Sequence, residues 1–332
     1  MLPIVSVIIP TAGLRPNLLT RSVESALAGF TLSEVEVVIV PNGPEPQWRD
    51  AITKFEGHPA IRIDPIVKSS ANAARNHGLA KAKGLLVRFL DDDDFLIPEV
   101  AVRQCQELLA SMADVSSYAI RIEDESGQFH QTLSQPKIDD FVSAQLGTTR
   151  LQLPHAHVYK KSLISSLLWN EAYIVSEDIA WLHTIACQME VCWIKSDEVV
   201  GIWFQHANPR LSYAHSAHEP NRITAQSIFS TMESLEKQGR MNDLRKHSAI
   251  YGLWLCVHRG FFLRPFYWHG IAKKLFKLEP NMRPQTFFFN LPGIARINPL
   301  LIEWLLLPLR YLIHCIRCAK ALVFGWNPVR RL

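Results

Sequence analysis

The chain has 332 residues, 48% of them hydrophobic, and a formal net charge of +4. That length allows one large domain or a domain with a substantial extension, and the charge is too small and too dispersed to point to nucleic acid. The cysteines at 105, 187, 192, 256, 315 and 318 form no regular framework, which fits a reducing, cytoplasmic setting.

The opening MLPIVSVIIPTAG lacks a basic leader and passes into a strand pattern, so it does not read as a signal peptide. Ile4 to Ile9 is a short β-branched run of the kind buried on both faces of a sheet. Residues 17–28 carry Leu18, Leu19, Val23, Ala26 and Leu27 at helical spacing. Val35 to Val40 is a second strand, closed by Pro41-Asn42-Gly43; residues 46–56 can form a helix, and Ile61 to Ile63 a third strand. An Ala-rich helix is expected over 70–82, with Ser69 or Ser70 as its cap. Leu85 to Leu90 is a fourth strand and runs straight into Asp91 to Asp94. Strand and helix alternating at this spacing predict an α/β fold with a mostly parallel central sheet flanked by helices.

Beyond residue 114 the expected elements are a strand over 116–122, a polar, turn-rich stretch over 123–150 and a strand near 155–159. A helix over 176–189 and a strand over 199–204 ending at His206 follow. Residues 220–275 read as helical. The division expected is a catalytic domain over 1–215 and a helical C-terminal extension over 216–332.

In a parallel sheet, ligands bind beyond the carboxyl ends of the strands. Thr11, Asn42 and the aspartate run should therefore open onto one crevice. Four adjacent carboxylates repel and need an offset. One or two could cap the helix expected near Pro98. Four at a strand end fit a divalent cation better, because Mg²⁺ and Mn²⁺ take hard oxygen ligands and bridge substrate phosphates. Neither GxGxxG nor GxxxxGK[ST] follows the first strand, so neither a dinucleotide fingerprint nor a P-loop is signalled.

VSVIIPTAGLRPNLLTRSVESALAGF, followed by SSANAARNHGLAKAKGLLVRFLDDDDFLIPE, resembles the family 2 glycosyltransferases over roughly residues 4–212. The resemblance implies the GT-A type nucleotide-diphospho-sugar transferase fold and a hexosyltransferase activity, with inversion. It implies that Asp91 and Asp93 end the D-x-D, with Asp93 as direct metal ligand and Asp91 and Asp92 facing the donor ribose and the metal's shell. Thr11 would line the nucleobase pocket and Arg75 approach the nucleotide, next to Asn76 of the Ala-Arg-Asn element. Asn42 stands where the family usually has an Asp on the base, and Ala12 replaces a frequent aromatic; both leave donor identity open.

Ser176-Glu177-Asp178 reads locally as a helix start, with Ser176 as cap and two acids in the first turn. The resemblance adds that Asp178 is the catalytic base and Glu177 its acceptor-side neighbour. His206 would meet the metal or the diphosphate, and Arg210 could meet a phosphate. The Gln-x-x-Arg-Trp motif of processive members is absent, which favours transfer of a single sugar. The cofactor implied is Mn²⁺ or Mg²⁺, and the partners are a nucleotide-sugar donor and a glycan or lipid-linked acceptor. The alternatives are a non-catalytic sugar-nucleotide or glycan-binding relative and, ranked lower, a sugar nucleotidyltransferase, whose Gly-rich first loop is missing.

In the last third, Glu303, Arg310, His314 and Arg317 recur along one face of an expected helix with a wide apolar remainder. Pro308 should kink it. With Lys320, Arg330 and Arg331 it reads as a basic amphipathic, membrane-surface element, implying a peripheral position at the inner face of a membrane. The other reading is a helix packed on protein. No uninterrupted apolar run of about 18 residues marks a transmembrane helix, and the Cys315–Cys318 pair lacks a second pair for zinc.

Overall fold

The computed structural model describes residues 2–147, 153–206, 218–284 and 287–324, the side chains of Phe287 and of 317–324 excepted. It divides into two compact units, Met1–Asn208 and Pro209–Leu332.

The first unit opens with β1 (Val5–Thr11), α1 (Pro16–Leu27), β2 (Val35–Pro41), α2 (Glu45–Ile52) and β3 (Ile61–Ile63). α3 (Ala71–Lys81), β4 (Leu86–Phe89), β5 (Phe95–Leu96) and α4 (Pro98–Ala110) follow. Next come β6 (Val115–Asp124), β7 (Phe129–Leu133), α5 (Phe141–Gly147), β8 (His157–Lys160), α6 (Lys161–Ile164), α7 (Glu177–Gln188) and β9 (Trp193–Gln205).

The sheet order is β3-β2-β1-β4-β8-β6-β9-β5, with β7 added alongside β6. β3, β2, β1 and β4 are mutually parallel, with Val5 of β1 opposite both Val35 and Leu86. β8 enters antiparallel between β4 and β6. β6 and β9 then run parallel from Val115–Trp193 to Asp124–Gln205.

β1 and β2 are buried at every position, as their β-branched runs require. The core beneath them gathers Val5, Val7, Ile9, Leu19, Val23, Val37, Ile39 and Trp48. On the other side α3 lies close to β1. A Cβ on Gly78 would stand 2.4 Å from Ile8 Cγ2, so only glycine lets this helix approach. Ser70 caps α3 by accepting from the Ala73 N–H (3.2 Å).

Three local expectations change. The stretch read as polar and turn-rich holds β7 and α5. β9 starts at Trp193, well before Val199, because the backbone of Trp193–Ser196 pairs with β6 whatever its side chains are. Ser176 precedes α7 with φ 55° and no side-chain capping bond, so the cap expected there is not formed.

The second unit contains α8 (His218–Lys237), α9 (Asp243–Gly260), α10 (Pro265–Leu278) and α11 (Pro299–Phe324). Pro308 lies inside α11, which continues beyond it. Of the polar side chains expected along one face, Glu303 and Arg310 turn toward protein. Glu303 is 0% exposed. Its Oε1 lies 2.6 Å from His258 Nδ1, and its Oε2 accepts from Arg310 Nη1 at 2.7 Å. Arg310 Nη1 also donates to the His258 carbonyl (2.9 Å).

Candidate active site

β1 and β4 are adjacent and parallel, so their carboxyl ends deliver Thr11 and Asp91–Asp94 to the same edge. Gly13, with φ 73°, turns the chain after β1 so that Arg15 comes back over that edge.

Each of the four aspartates has its own set of partners, with Arg15 shared by Asp92 and Asp93. Asp91 Oδ1 accepts from Arg75 Nη2 (2.7 Å). Asp92 accepts from the Thr11 hydroxyl (2.6 Å) and from Arg15 Nη2 (2.7 Å). Asp93 Oδ2 accepts from Arg15 Nη1 (2.6 Å) and lies 2.9 Å from His206 Nε2. Asp94 is buried beneath the others; its Oδ1 accepts from the Phe204 N–H (2.9 Å) and its Oδ2 lies 3.3 Å from His155 Nδ1. None of them caps α4, whose N-cap residue is Ile97 without a side-chain bond.

The electrostatics follow from this arrangement. Burial, with Asp93 and Asp91 nearby, pushes Asp92 up to about 6, although Arg15 opposes it. Burial would lower the Arg15 guanidinium, but Asp92 and Asp93 more than offset it and hold it above its ordinary value. Burial pushes His155 down to about 4, so it faces Asp94 as a neutral ring.

Arg75, expected at the nucleotide, is instead fully enclosed and committed to protein partners. Beyond Asp91 it donates to Asn72 Oδ1 (2.8 Å), lies 3.6 Å from Glu177 Oε1 and covers the Trp169 ring at 4.5 Å. It thus joins the aspartate loop to the start of α7. There, burial followed by the Glu177 charge pushes Asp178 up to about 7. Burial likewise raises Glu177, with Arg75 opposing it. Asn76 exchanges bonds with Trp169: its Nδ2 donates to the Trp169 carbonyl (3.0 Å) and its Oδ1 accepts from the Trp169 N–H (2.7 Å). Asn72 Nδ2 holds the Asn170 and Tyr173 carbonyls at 2.9 Å. The helix carrying Arg75 therefore fixes the loop that leads into Asp178.

At the second strand end, buried Asn42 donates its N–H to the Thr11 carbonyl (2.9 Å), which places it beside Thr11. Arg210 lies outside the described residues.

Of the three expected metal ligands, Asp93 and His206 converge while Asp91 turns to Arg75. Among the described residues no group of three or more His, Cys, Asp or Glu is arranged to hold a metal ion. Asp93 and His206 nevertheless form a carboxylate and imidazole pair suited to Mn²⁺ with the remaining positions left for phosphate oxygens. Arg15 Nη1 stands 2.6 Å from one and 2.7 Å from the other. A cationic group already occupies the point where both donors aim, so the pair fits a divalent cation once that side chain moves.

Arg15 and His155 were missed by sequence reasoning. Arg15 had a usable signal, a cation two residues past the first strand-end glycine. His155 had none, because its place opposite Asp94 depends on β8 inserting between β4 and β6.

The sheet, parallel through β3, β2, β1 and β4 and flanked by helices, is that of the GT-A fold. Residues 6–168 match the sequence model of glycosyl transferase family 2. It is 24% identical over 200 residues to an uncharacterised glycosyltransferase, EpsJ, of Bacillus subtilis, covering 54% of each chain. It is 25% identical over 192 residues to the GalNAc(5)-diNAcBac-PP-undecaprenol beta-1,3-glucosyltransferase of Campylobacter jejuni, covering 55% of this chain and 60% of that one. The matches thus span little more than half of these relatives. Among solved structures, residues 1–349 of S. aureus TarS in complex with UDP-GlcNAc superpose with a TM-score of 0.61 at 18% identity, covering 83% of this chain and 82% of that one. The mannosyltransferase PcManGT from Pyrobaculum calidifontis, in complex with GDP-Man and Mn²⁺, gives 0.53 at 17%, covering 98% and 89%. At these identities the structures show the fold.

Proposed function

We propose that the protein transfers a single sugar from a nucleoside-diphosphate donor to an acceptor hydroxyl, with inversion at the anomeric carbon. The observation that carries this reading is Arg75, which pairs Asp91 at 2.7 Å and Glu177 at 3.6 Å. It ties the acidic loop at the end of β4 to the carboxylates at the start of α7, so donor-side and acceptor-side groups share one cleft.

Asp178 takes the acceptor hydroxyl proton. The hydroxyl oxygen bonds to the anomeric carbon as the bond from that carbon to the β-phosphate oxygen breaks, and the nucleoside diphosphate leaves with the electron pair. A carboxyl held at about 7 is suited to a base working near neutrality. Thr11 and Asn42 line the end where the nucleoside would lie. Asp93 and His206 are the residues that would hold a divalent cation, which when bound offsets negative charge on the diphosphate. Arg15 holds positive charge at that point in the structure and would have to swing aside for the cation to enter. A lipid-linked glycan acceptor is supported by the Campylobacter relative, whose own name specifies one.

The test is a thermal-shift screen of the full chain against UDP-, GDP-, dTDP- and CMP-sugars, each with Mn²⁺, Mg²⁺ or EDTA. One nucleotide should raise Tm, since ligand binding to the folded state stabilises it by mass action. The shift should shrink in EDTA and in Asp93→Asn. No shift with any donor would overturn the reading.

A further inference from the structure

We infer that the outer face of α11 docks on an anionic lipid bilayer, lying in the plane of its surface. This inference does not depend on the proposed transfer reaction.

The helix has two faces of unlike use. One carries Glu303, Trp304, Arg310, Tyr311 and His314, spaced along a single stripe. These meet protein: Glu303 and Arg310 meet His258, the Trp304 indole N–H donates to His269 Nδ1 (3.0 Å), and the Tyr311 and His314 rings lie 6.4 and 5.6 Å from that of Phe262. The other carries Leu301, Leu305, Leu309, Leu312 and Ile316, three or four residues apart, all about half or more exposed and with Leu305 at 66%. In a water-soluble helix the buried stripe is apolar and the outer one polar; here the ion pairs are inside and the leucines outside. Phe266, 83% exposed, extends the apolar surface next to Trp304, its ring 5.6 Å away.

Pro299–Ile316 is long and apolar enough to cross a membrane by length and composition, with 17% of the window buried. The contacts decide against a crossing. His258, Phe261, Phe262, Phe266 and His269 line one side of α11 over three turns, and they belong to α9, α10 and the turn between them, which also carry Arg259, Lys273, Lys274 and Lys277. A span would drag those charges into hydrocarbon, whereas a helix lying flat keeps its protein side in water and offers its leucines to the acyl boundary.

Charge selects the lipid. Across α10 and α11 the one acidic residue is Glu303, and it is buried and paired. Lys273, Lys274 and Lys277 are exposed, and the sequence after Ile316 contains Arg317, Lys320, Arg330 and Arg331 without an acid. That complement suits anionic headgroups.

Co-sedimentation of the full chain with vesicles of phosphatidylcholine containing phosphatidylglycerol tests this. The wild type should pellet with them, and Leu305→Asp/Leu309→Asp should bind at least tenfold more weakly with an unchanged circular dichroism spectrum and Tm, since both side chains face outward. The inference is overturned if the wild type stays in the supernatant, or if the double variant binds as tightly. It is also overturned if light scattering without lipid shows a dimer that the substitutions split while vesicles capture nothing; the leucines would then cover a second copy. Donor-induced thermal shifts, measured on the same samples, should be equal in both proteins.

Discussion

Asp178 and Arg15 each concentrate one physical effect. Replacing Asp178 by Asn removes the proposed proton acceptor while keeping size and shape. The turnover number should fall by roughly 10²–10⁴-fold, the usual contribution of a general base, with donor-induced thermal shifts unchanged. In the wild type, turnover should rise with pH through about 7, the point at which burial and Glu177 hold this carboxyl. Arg15→Gln has a different signature. It leaves Asp92 and Asp93 side by side with their shared cation gone. Breaking a buried pair costs roughly 3–5 kcal/mol; the low end applies here because Asp92, already at about 6, can take up a proton instead. Mn²⁺ should raise the Tm of Arg15→Gln more than that of the wild type, because the point between Asp93 and His206 is then open.

At the scale of elements, α3 is the part that aligns the others. Asn76→Ala removes both bonds to Trp169 and should cost roughly 1–3 kcal/mol in denaturant titration. Because the loop leads into Asp178, turnover should drop as well, with donor affinity retained. Much of this half of the chain was readable beforehand. β1, β2, α1 and α3 follow directly from β-branched runs, helical spacing and a serine cap. Resemblance supplied Asp93, Asp178 and His206 as candidates. What could not be read depends on partners distant in sequence. β7 reads FHQTL, too polar to announce a strand, and forms because Leu133 to Gln131 register against Ile120 to Ile122. The protein partners of the four aspartates were hidden for the same reason: Arg75 and Arg15 lie 16 to 78 positions away from the carboxylates they pair, and His155 faces Asp94 only after β8 inserts. On α11 the spacing of the polar residues was legible, but which side faces inward is settled by His258, 45 residues upstream of Glu303.

For the molecule as a whole, both units set a carboxylate between an arginine and a histidine, and in the second that carboxylate, Glu303, is fully buried. Arg310→Met should therefore cost roughly 3–5 kcal/mol, read by urea titration, and adding Glu303→Leu should recover much of that loss, because it is the stranded charge that is expensive. In the first unit, the raised carboxyls set an order of events on acidification. Asp178 holds its proton in the folded state up to about 7 and Asp92 up to about 6, while both release it near 3.8 when unfolded. Their contribution to stability is therefore fully present below 3.8 and declines as pH rises through those folded values. Mild acid protonates the proposed base first, and that same proton favours the folded chain. Activity and fold thus part company: between pH 8 and 6 turnover should fade while Tm holds or climbs, and neutralisation should restore the rate in full. With Asp178 as the base, acid would shut the reaction off as a valve does, without damage to its housing.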